Sequence, residues 1–411
     1  MFAPSGRSGS VGGVLKAPPQ RLLLGAGPSP VPDRVLAAMA QPTIGHLDPA
    51  FGALMDETAE MLRRTFGTEN RATLPLSATG SGGMDALVVN FVEPGDRVGV
   101  AVAGLFGERM ADALGRAGAE VVRVEAGWGR AVPLERLHEA AGEGLDALVV
   151  VHGETSTGMC QPLDGLGEAM HASGGLLLAD CVTSLGGQSL SIEDAGIDAA
   201  FSGTQKCLNA PPGLAPFTAG ERAIAKLEGR AQKPRSWFFD LSLVLGYWNG
   251  DSGRAYHHTA PINMVYALHE ALELVHEETL AARWERHRVA HESLRRALAP
   301  LGIERIAPEG EQLNPLLAVR VPEGVDEAAV RGALLERHGI EISGGLGPFA
   351  GRGWRIGVMG IGASPEPQRR LVEALAAELG RDSADSLAAL DEGWRTCEHV
   401  FAWSSVSSTP A

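Results

Sequence analysis

The sequence predicts an α/β protein, with a large domain on a mostly parallel central sheet and a smaller α+β domain after it. Three observations carry that reading. Between about residues 70 and 220, short apolar runs alternate with helical patterns, as in an open α/β sheet. Several runs, such as Ala147-Leu148-Val149-Val150-Val151, are apolar throughout, which suits strands covered by helices on both faces. The length of 411 residues, at roughly 150 per domain, accommodates two or three domains with a cleft between them.

The elements follow in chain order. Phe51, Leu54, Met55, Thr58, Met61 and Leu62 recur at helical spacing behind Asp48-Pro49, a cap and first-turn pair. Strands are expected at Ala72–Leu76, Arg97–Ala103, Glu120–Glu125, Ala147–His152, Leu176–Asp180 and Ala199–Ser202. From Pro261 to about Leu298 the pattern predicts one long helix bridging the domains, with the boundary inside it. Beyond it, Leu316–Val321, a helix from Asp326 to His338, Glu341–Ser343, Arg355–Met359 and a helix from Pro365 to Leu379 read as the small domain. The expected division is an N-terminal arm (1–30), a large domain (31–275), a small domain (276–380) and a C-terminal extension (381–411) with no assigned role.

Charge and cysteine usage narrow the function classes. Lys+Arg 35 against Asp+Glu 50 leaves a net charge of −15, which repels phosphodiester backbones and anionic lipid, so neither nucleic-acid nor membrane partners are expected. Cys160, Cys181, Cys207 and Cys397 show no Cys-x-x-Cys spacing, which argues against a disulfide framework and a zinc site. No apolar run approaches the roughly 18 residues of a membrane span, and Met1–Gly13 lacks an apolar core of a secretion signal. A cytoplasmic location is expected. His257-His258 is no metal site, since adjacent histidines diverge and no third ligand is evident.

Four features carry chemistry. The loop Ser77-Ala78-Thr79-Gly80-Ser81-Gly82-Gly83 joins a strand to a helix, where small residues and backbone N–H groups suit a phosphate. Asp180 closes an apolar strand at its carboxyl end, the edge where open α/β sheets place ligands. Lys206, in Ser202-Gly203-Thr204-Gln205-Lys206, follows another such strand, and an amine in a dry pocket can lose enough proton affinity to form a Schiff base. Arg355 interrupts the apolar stretch Gly353-Trp354-Arg355-Ile356-Gly357, and a buried guanidinium needs an anion such as a carboxylate. Singly, each has a plain structural reading: a tight turn, a cap, a solvated lysine, an internal ion pair. Together they are the parts of a pyridoxal-phosphate enzyme acting on amino acids.

Longer segments sharpen this. Leu22–Ser29, His152-Gly153-Glu154-Thr155-Ser156-Thr157-Gly158, Ser202–Gly213 and Tyr256-His257-His258-Thr259 resemble the alanine–glyoxylate and serine–pyruvate aminotransferases, class V members of the fold-type I pyridoxal-phosphate enzymes, from about Val14 to Leu379. The resemblance implies that Lys206 binds pyridoxal 5'-phosphate covalently and carries the substrate proton, while Asp180 keeps the ring nitrogen protonated. It implies a phosphate cradle of Thr79, Gly80, Ser81 and Gln205, a ring held between Phe106 and Val182, and Ser156 near the phenolic oxygen. Arg355 and Gly27 fall at substrate positions. Phe106 stands where the family stacks a tryptophan, so the ring should be held less tightly by a fraction of the roughly 0.5–1.5 kcal/mol that aromatic stacking contributes. Tyr256 and Thr259 match positions that reach the neighbouring subunit's phosphate, implying a homodimer with shared active sites. Val14-Leu15-Lys16-Ala17-Pro18-Pro19 resembles an arm lying across the partner. The family implies alanine or serine as donor and glyoxylate or another small 2-oxo acid as acceptor. It also contains enzymes using pyridoxamine, aminoethylphosphonate or ureidoglycine. A cysteine desulfurase on the same fold would need a mobile thiol in the second domain, and no cysteine lies between Cys207 and Cys397.

Overall fold

The structure is a computed structural model that describes residues 18–248 and 253–396. Helix α1 (Pro49–Phe66) starts as the sequence predicts: the Asp48 side chain accepts from Ala50 N at 2.8 Å, proline occupies the first turn, and Gly67 closes the helix at φ 66°. The central sheet contains β1 (Ala72–Leu76), β2 (Arg97–Val102), β3 (Glu120–Glu125), β4 (Ala147–Val151), β5 (Leu176–Asp180), β6 (Ala199–Phe201) and β7 (Ala215–Ala219). Helices α2 (Gly80–Phe91) and α3 (Leu105–Ala117) follow β1 and β2. The seven strands lie in the order β1-β7-β6-β5-β4-β2-β3. From β6 through β3 neighbours are parallel, while β7 runs antiparallel to both β1 and β6. Strand β7 was not among the expected strands. Pro216 inside the run argues against a strand on sequence grounds, and the fold accommodates it beside the edge strand β1, opposite Pro75.

The middle of this sheet is buried on both faces: every residue of β4 and β5 is buried, as their apolar composition requires, while the edge strand β3 is largely open. Register places Val151 beside Asp180 and Asp180 beside Phe201, so the ends of β4, β5 and β6 line up at one edge. Their following loops converge there, at the carboxyl edge of the parallel strands.

The expected bridging helix is two helices, α4 (Ile262–Glu278) and α5 (Leu280–Leu298), broken at Thr279, whose φ is 69°. No glycine or proline marks the break. The break brings Glu278 into ion pairs with both Arg283 and Arg286, an arrangement that favours the broken form. In a continuous helix residues eight apart are separated by about 12 Å, too far for the second pair.

The smaller sheet has four strands in the order β8 (Glu304–Arg305), β9 (Leu316–Arg320), β11 (Gly353–Gly357), β10 (Ser343–Gly344), all antiparallel to their neighbours. The strand bearing Arg355 thus begins two residues before the expected Arg355–Met359. Helices α6 (Glu327–His338), α7 (Pro365–Glu378) and α8 (Ala384–Arg395) accompany it. Segments from both chain ends join its core. Leu24 is buried there, and Leu22–Leu23 pairs in parallel with Ile340–Glu341. In α8, Leu390 and Trp394 are buried in the same core, and Trp394 Nε1 donates to Gln368 Oε1 at 2.9 Å. Part of the C-terminal extension is therefore a structural helix. Val14–Ala17 of the expected arm lie outside the described residues.

Candidate active site

The site grows from the carboxyl edge of the central sheet. A cavity of about 180 Å³ there is lined by Gly80, Ser81, Phe106, Asp180, Val182, Gln205 and Lys206, and also by Met84, Arg109 and Thr155. Seven residues singled out by sequence, far apart in the chain, thus share one pocket.

Asp180 ends β5 and is nearly buried, with Oδ1 accepting from Val182 N at 2.9 Å. Burial pushes its carboxyl up to about 7, and the negative charge of Glu154 adds to this, while the Val182 N–H opposes it. Lys206 follows β6. Burial lowers its ammonium from 10.5 to about 8, and the charge of Arg355 works in the same direction. Its Nζ donates to the carbonyl of Ala26. The segment carrying Ala26 is itself held from both sides: Leu24 O accepts from Gly357 N at 2.8 Å, and Ser29 Oγ donates to Lys206 O at 2.6 Å.

Gly27 lies directly against this lysine. Its φ is 102°, and a Cβ there would stand 2.5 Å from Lys206 Nζ and 2.7 Å from its Cδ. The obstructed atoms are the far end of a flexible side chain, so Gly27→Ala should fold but push the amine off its place. We expect circular dichroism like wild type and turnover reduced about tenfold or more, since displacing a reacting group by about 1 Å can cost on the order of 10²-fold. Unchanged turnover would separate Gly27 from the site.

The loop after β1 starts α2 with Thr79 as the capping residue, no side-chain bond closing the cap. Thr79 and Ser81 are exposed and Gly80 is buried, a Cβ there meeting Val182 Cγ2 at 3.1 Å. Gln205 contributes a buried Oε1 that has no hydrogen-bond partner among the described residues. Phe106, in the first turn of α3, carries the Arg109 guanidinium 4.9 Å from its ring centre. Ser156 is buried behind the cavity wall, its Oγ accepting from Leu105 N at 3.0 Å.

Arg355 is half-buried on β11, between Trp354 and Ile356, which belong to the small-domain core. It turns to the opposite face, where its Nε donates to Gly344 O at 2.8 Å. Burial lowers its proton affinity and the charge of Glu154 raises it, while its own charge is felt by Lys206. Tyr256 and Thr259 do not line this cavity: both are exposed, the Tyr256 ring lying 5.2 Å from His46. Their loop is tied to the phosphate-type loop by His258 Nε2, 2.6 Å from Ser77 Oγ.

Among the lining residues, Met84, Arg109 and Thr155 had no role in the sequence reading, nor had Glu154 beside them. Glu154 stood inside a quoted segment without a role, though a carboxylate two residues past a buried strand was a usable signal. Arg109 gave none, since only the turn of α3 brings it over Phe106.

Residues 21–348 match the family model of the class-V aminotransferases. The chain is 39% identical over 360 residues to an alanine–glyoxylate aminotransferase of Callithrix jacchus, covering 87% of each chain. It is 36% identical to an (S)-ureidoglycine–glyoxylate transaminase of Bacillus subtilis, covering 89% of this chain and 92% of that one. A solved alanine–glyoxylate aminotransferase from Nostoc sp. superposes with a TM-score of 0.88 at 45% identity, covering 90% of this chain and 98% of that one. By these matches the chain belongs to the class V aminotransferases and is a pyridoxal-phosphate-dependent transaminase with the fold-type I architecture.

Proposed function

We propose that the protein moves the amino group of a small L-amino acid, alanine or serine, to glyoxylate or another small 2-oxo acid, as a cytoplasmic homodimer. The observation that carries this is the meeting of the Lys206 amine and the Asp180 carboxylate in one cavity at the carboxyl edge of the central sheet, with the charge of Arg355 on β11 felt by Lys206. Both relatives above are named for glyoxylate and differ in the donor, so the acceptor is the better supported half. Free Cys160, Cys181 and Cys207 agree with a reducing compartment. Among the described residues no helix is long and apolar enough to cross a membrane.

The residues fit pyridoxal phosphate. Gln205 Oε1 is a buried polar atom wanting a partner, and in an amide the oxygen and nitrogen exchange places by a flip that offers a donor to phosphate. Asp180 has the raised proton affinity of a buried carboxylate awaiting a cation, which a protonated ring nitrogen supplies. When bound, the cofactor provides the covalent link to the amino group and an electron sink for the negative charge left at Cα.

The chain's own residues do the rest. Gly80, Ser81 and Thr79, with Gln205, hold the phosphate at the start of α2. Phe106 and Val182 would hold the cofactor's ring between them, and Ser156 would lie near its phenolic oxygen. Lys206, neutral at its Nζ, would take the proton from the substrate's Cα and hold it for return. Arg355 grips the carboxylate of donor and acceptor alike, and Gly27 leaves room for the lysine to move. Tyr256 and Thr259, exposed here, reach the phosphate in the partner subunit.

Adding L-alanine or L-serine to the holoenzyme should discharge the cofactor's absorption band, and glyoxylate should restore it. Persistence of the band with both amino acids, with discharge only by ureidoglycine, pyridoxamine or aminoethylphosphonate, would replace the donor assignment. Sulfide release from cysteine would replace the reaction class. Arg355→Ala should raise KM for alanine about ten- to a hundredfold, the worth of about 1.5–3 kcal/mol for a charged hydrogen bond, with a smaller change in kcat. An unaltered KM would place the carboxylate elsewhere.

A further inference from the structure

Glu154 is the least explained charge near the cavity. It is 1% exposed, two residues from Ser156 and between Gly153 and Thr155, both of which line the cavity. Its Oε2 accepts from Phe106 N at 3.0 Å and Gly107 N at 3.2 Å, the first turn of α3. Its Oε1 accepts from Ser156 N at 3.1 Å and from Ser156 Oγ at 2.5 Å. Ser156 Oγ in turn accepts from Leu105 N at 3.0 Å. Three of these five hydrogen bonds join segments some fifty positions apart in the chain, and the other two fix Glu154 against Ser156.

The knot leaves no slack. A Cβ on Gly104 would stand 2.4 Å from Ser156 Oγ and 2.6 Å from Glu154 Cγ and Cδ, so the helix start meets the carboxylate backbone to side chain. A negative charge at a helix N-terminus is favourable, and buried within that turn it is held rigidly.

We propose that Glu154 is a positioning residue for amino transfer, clamping the helix start that carries Phe106 to Ser156 so that the ring-facing side chain and the hydroxyl keep one fixed spacing across the cofactor pocket. This rests on the transaminase reading for what the pocket does, but the clamp is a property of the chain itself. Its charge faces Asp180 and Arg355 as well, so geometry and charge must be tested separately.

Glu154→Gln removes the charge and keeps an acceptor for the α3 amides, while its NH2 can donate to Ser156 Oγ but leaves Ser156 N–H without its acceptor. Glu154→Asp keeps the charge and withdraws it by one methylene from the helix. The measurements are equilibrium dialysis of pyridoxal phosphate against cofactor-free protein, the absorption of the bound cofactor, and kcat and KM with alanine and glyoxylate. Under the proposal Glu154→Asp loses about tenfold in cofactor affinity and in kcat, with KM for alanine within about threefold, while Glu154→Gln loses less, about threefold in affinity and kcat, as expected when the bonds to the start of α3 are broken in one and kept in the other. The reverse order, Gln impaired and Asp like wild type, would show that charge alone matters and overturn the clamp. Equal affinities in all three proteins, or equal losses in both variants accompanied by a parallel fall in melting temperature, would overturn it as well. If wild type binds the cofactor but alanine and serine leave it charged, the substrate assignment fails while the affinity ratios still judge the clamp.

Discussion

Lys206→Ala should abolish measurable transamination while leaving the fold intact. The side chain touches the cavity, and its removal deletes both the covalent anchor and the group that carries the Cα proton; a positioned acid–base group alone contributes about 10²–10⁴-fold. Lys206→Arg retains a cation but no usable nucleophile, so it should be equally inactive. Small added amines should restore part of the activity to Lys206→Ala and none to Lys206→Arg. Turnover above a hundredth of wild type in Lys206→Ala, without added amine, would remove this lysine from the reaction.

The pH dependence of cofactor capture tests the same residue in the intact protein. A neutral amine is needed to attack an aldehyde, and burial brings the Lys206 ammonium from 10.5 to about 8. Because the folded value is lowered, the reactive fraction rises as pH climbs towards about 8 and levels off above it. Stopped-flow mixing of cofactor-free protein with pyridoxal phosphate should show that rise and plateau. A rate still climbing steeply at pH 10 would mean that the amine is solvated.

Asp180 and Lys206 stood out in the sequence because one closes an apolar strand and the other follows one by a few residues, and parallel register then brings the strand ends together, whereas Gln205 was reached only through the family resemblance. Arg355 was legible for a different reason: a guanidinium among Trp354 and Ile356 demands an anion. What resisted reading depends on contacts between distant segments. Glu154 matters because α3 begins against it, nearly fifty residues upstream. Strand β7 hides behind Pro216. The break at Thr279 carries no helix-breaking residue, and the Glu278–Arg286 pair that accompanies it joins residues that would lie about 12 Å apart along a continuous helix. Leu390 and Trp394 looked like a tail until their core partners were visible.

That ion pair supports the largest stability effect expected of a single substitution. Glu278 accepts from Arg283 at 2.7 Å through Oε2, and from Arg286 at 2.5 Å through Oε1 and 2.8 Å through Oε2. All three side chains are buried. Arg283 also donates to Cys207 O and to Asn209 Oδ1, at the turn bearing Lys206, while Arg286 donates to Gly360 O at 2.5 Å and Ala363 O at 2.8 Å beyond β11. One carboxylate thus compensates the two cations that tie the lysine loop to the small domain. Glu278→Ala should cost about 3–5 kcal/mol, the usual penalty for stripping buried charge of its partner. Burial alone would raise the Glu278 pKa, but the Arg286 hydrogen bonds and the charges of Arg283 and Arg286 outweigh it and hold it at about 2. A depressed folded value stabilises above the ordinary 4.5, and that contribution is lost as pH falls from there towards 2. Urea unfolding of wild type and Glu278→Gln should therefore differ most at neutral pH and converge towards pH 2. A gap that stays constant over that range would mean that the carboxylate's charge plays no part, and that the broken helix is held by packing alone.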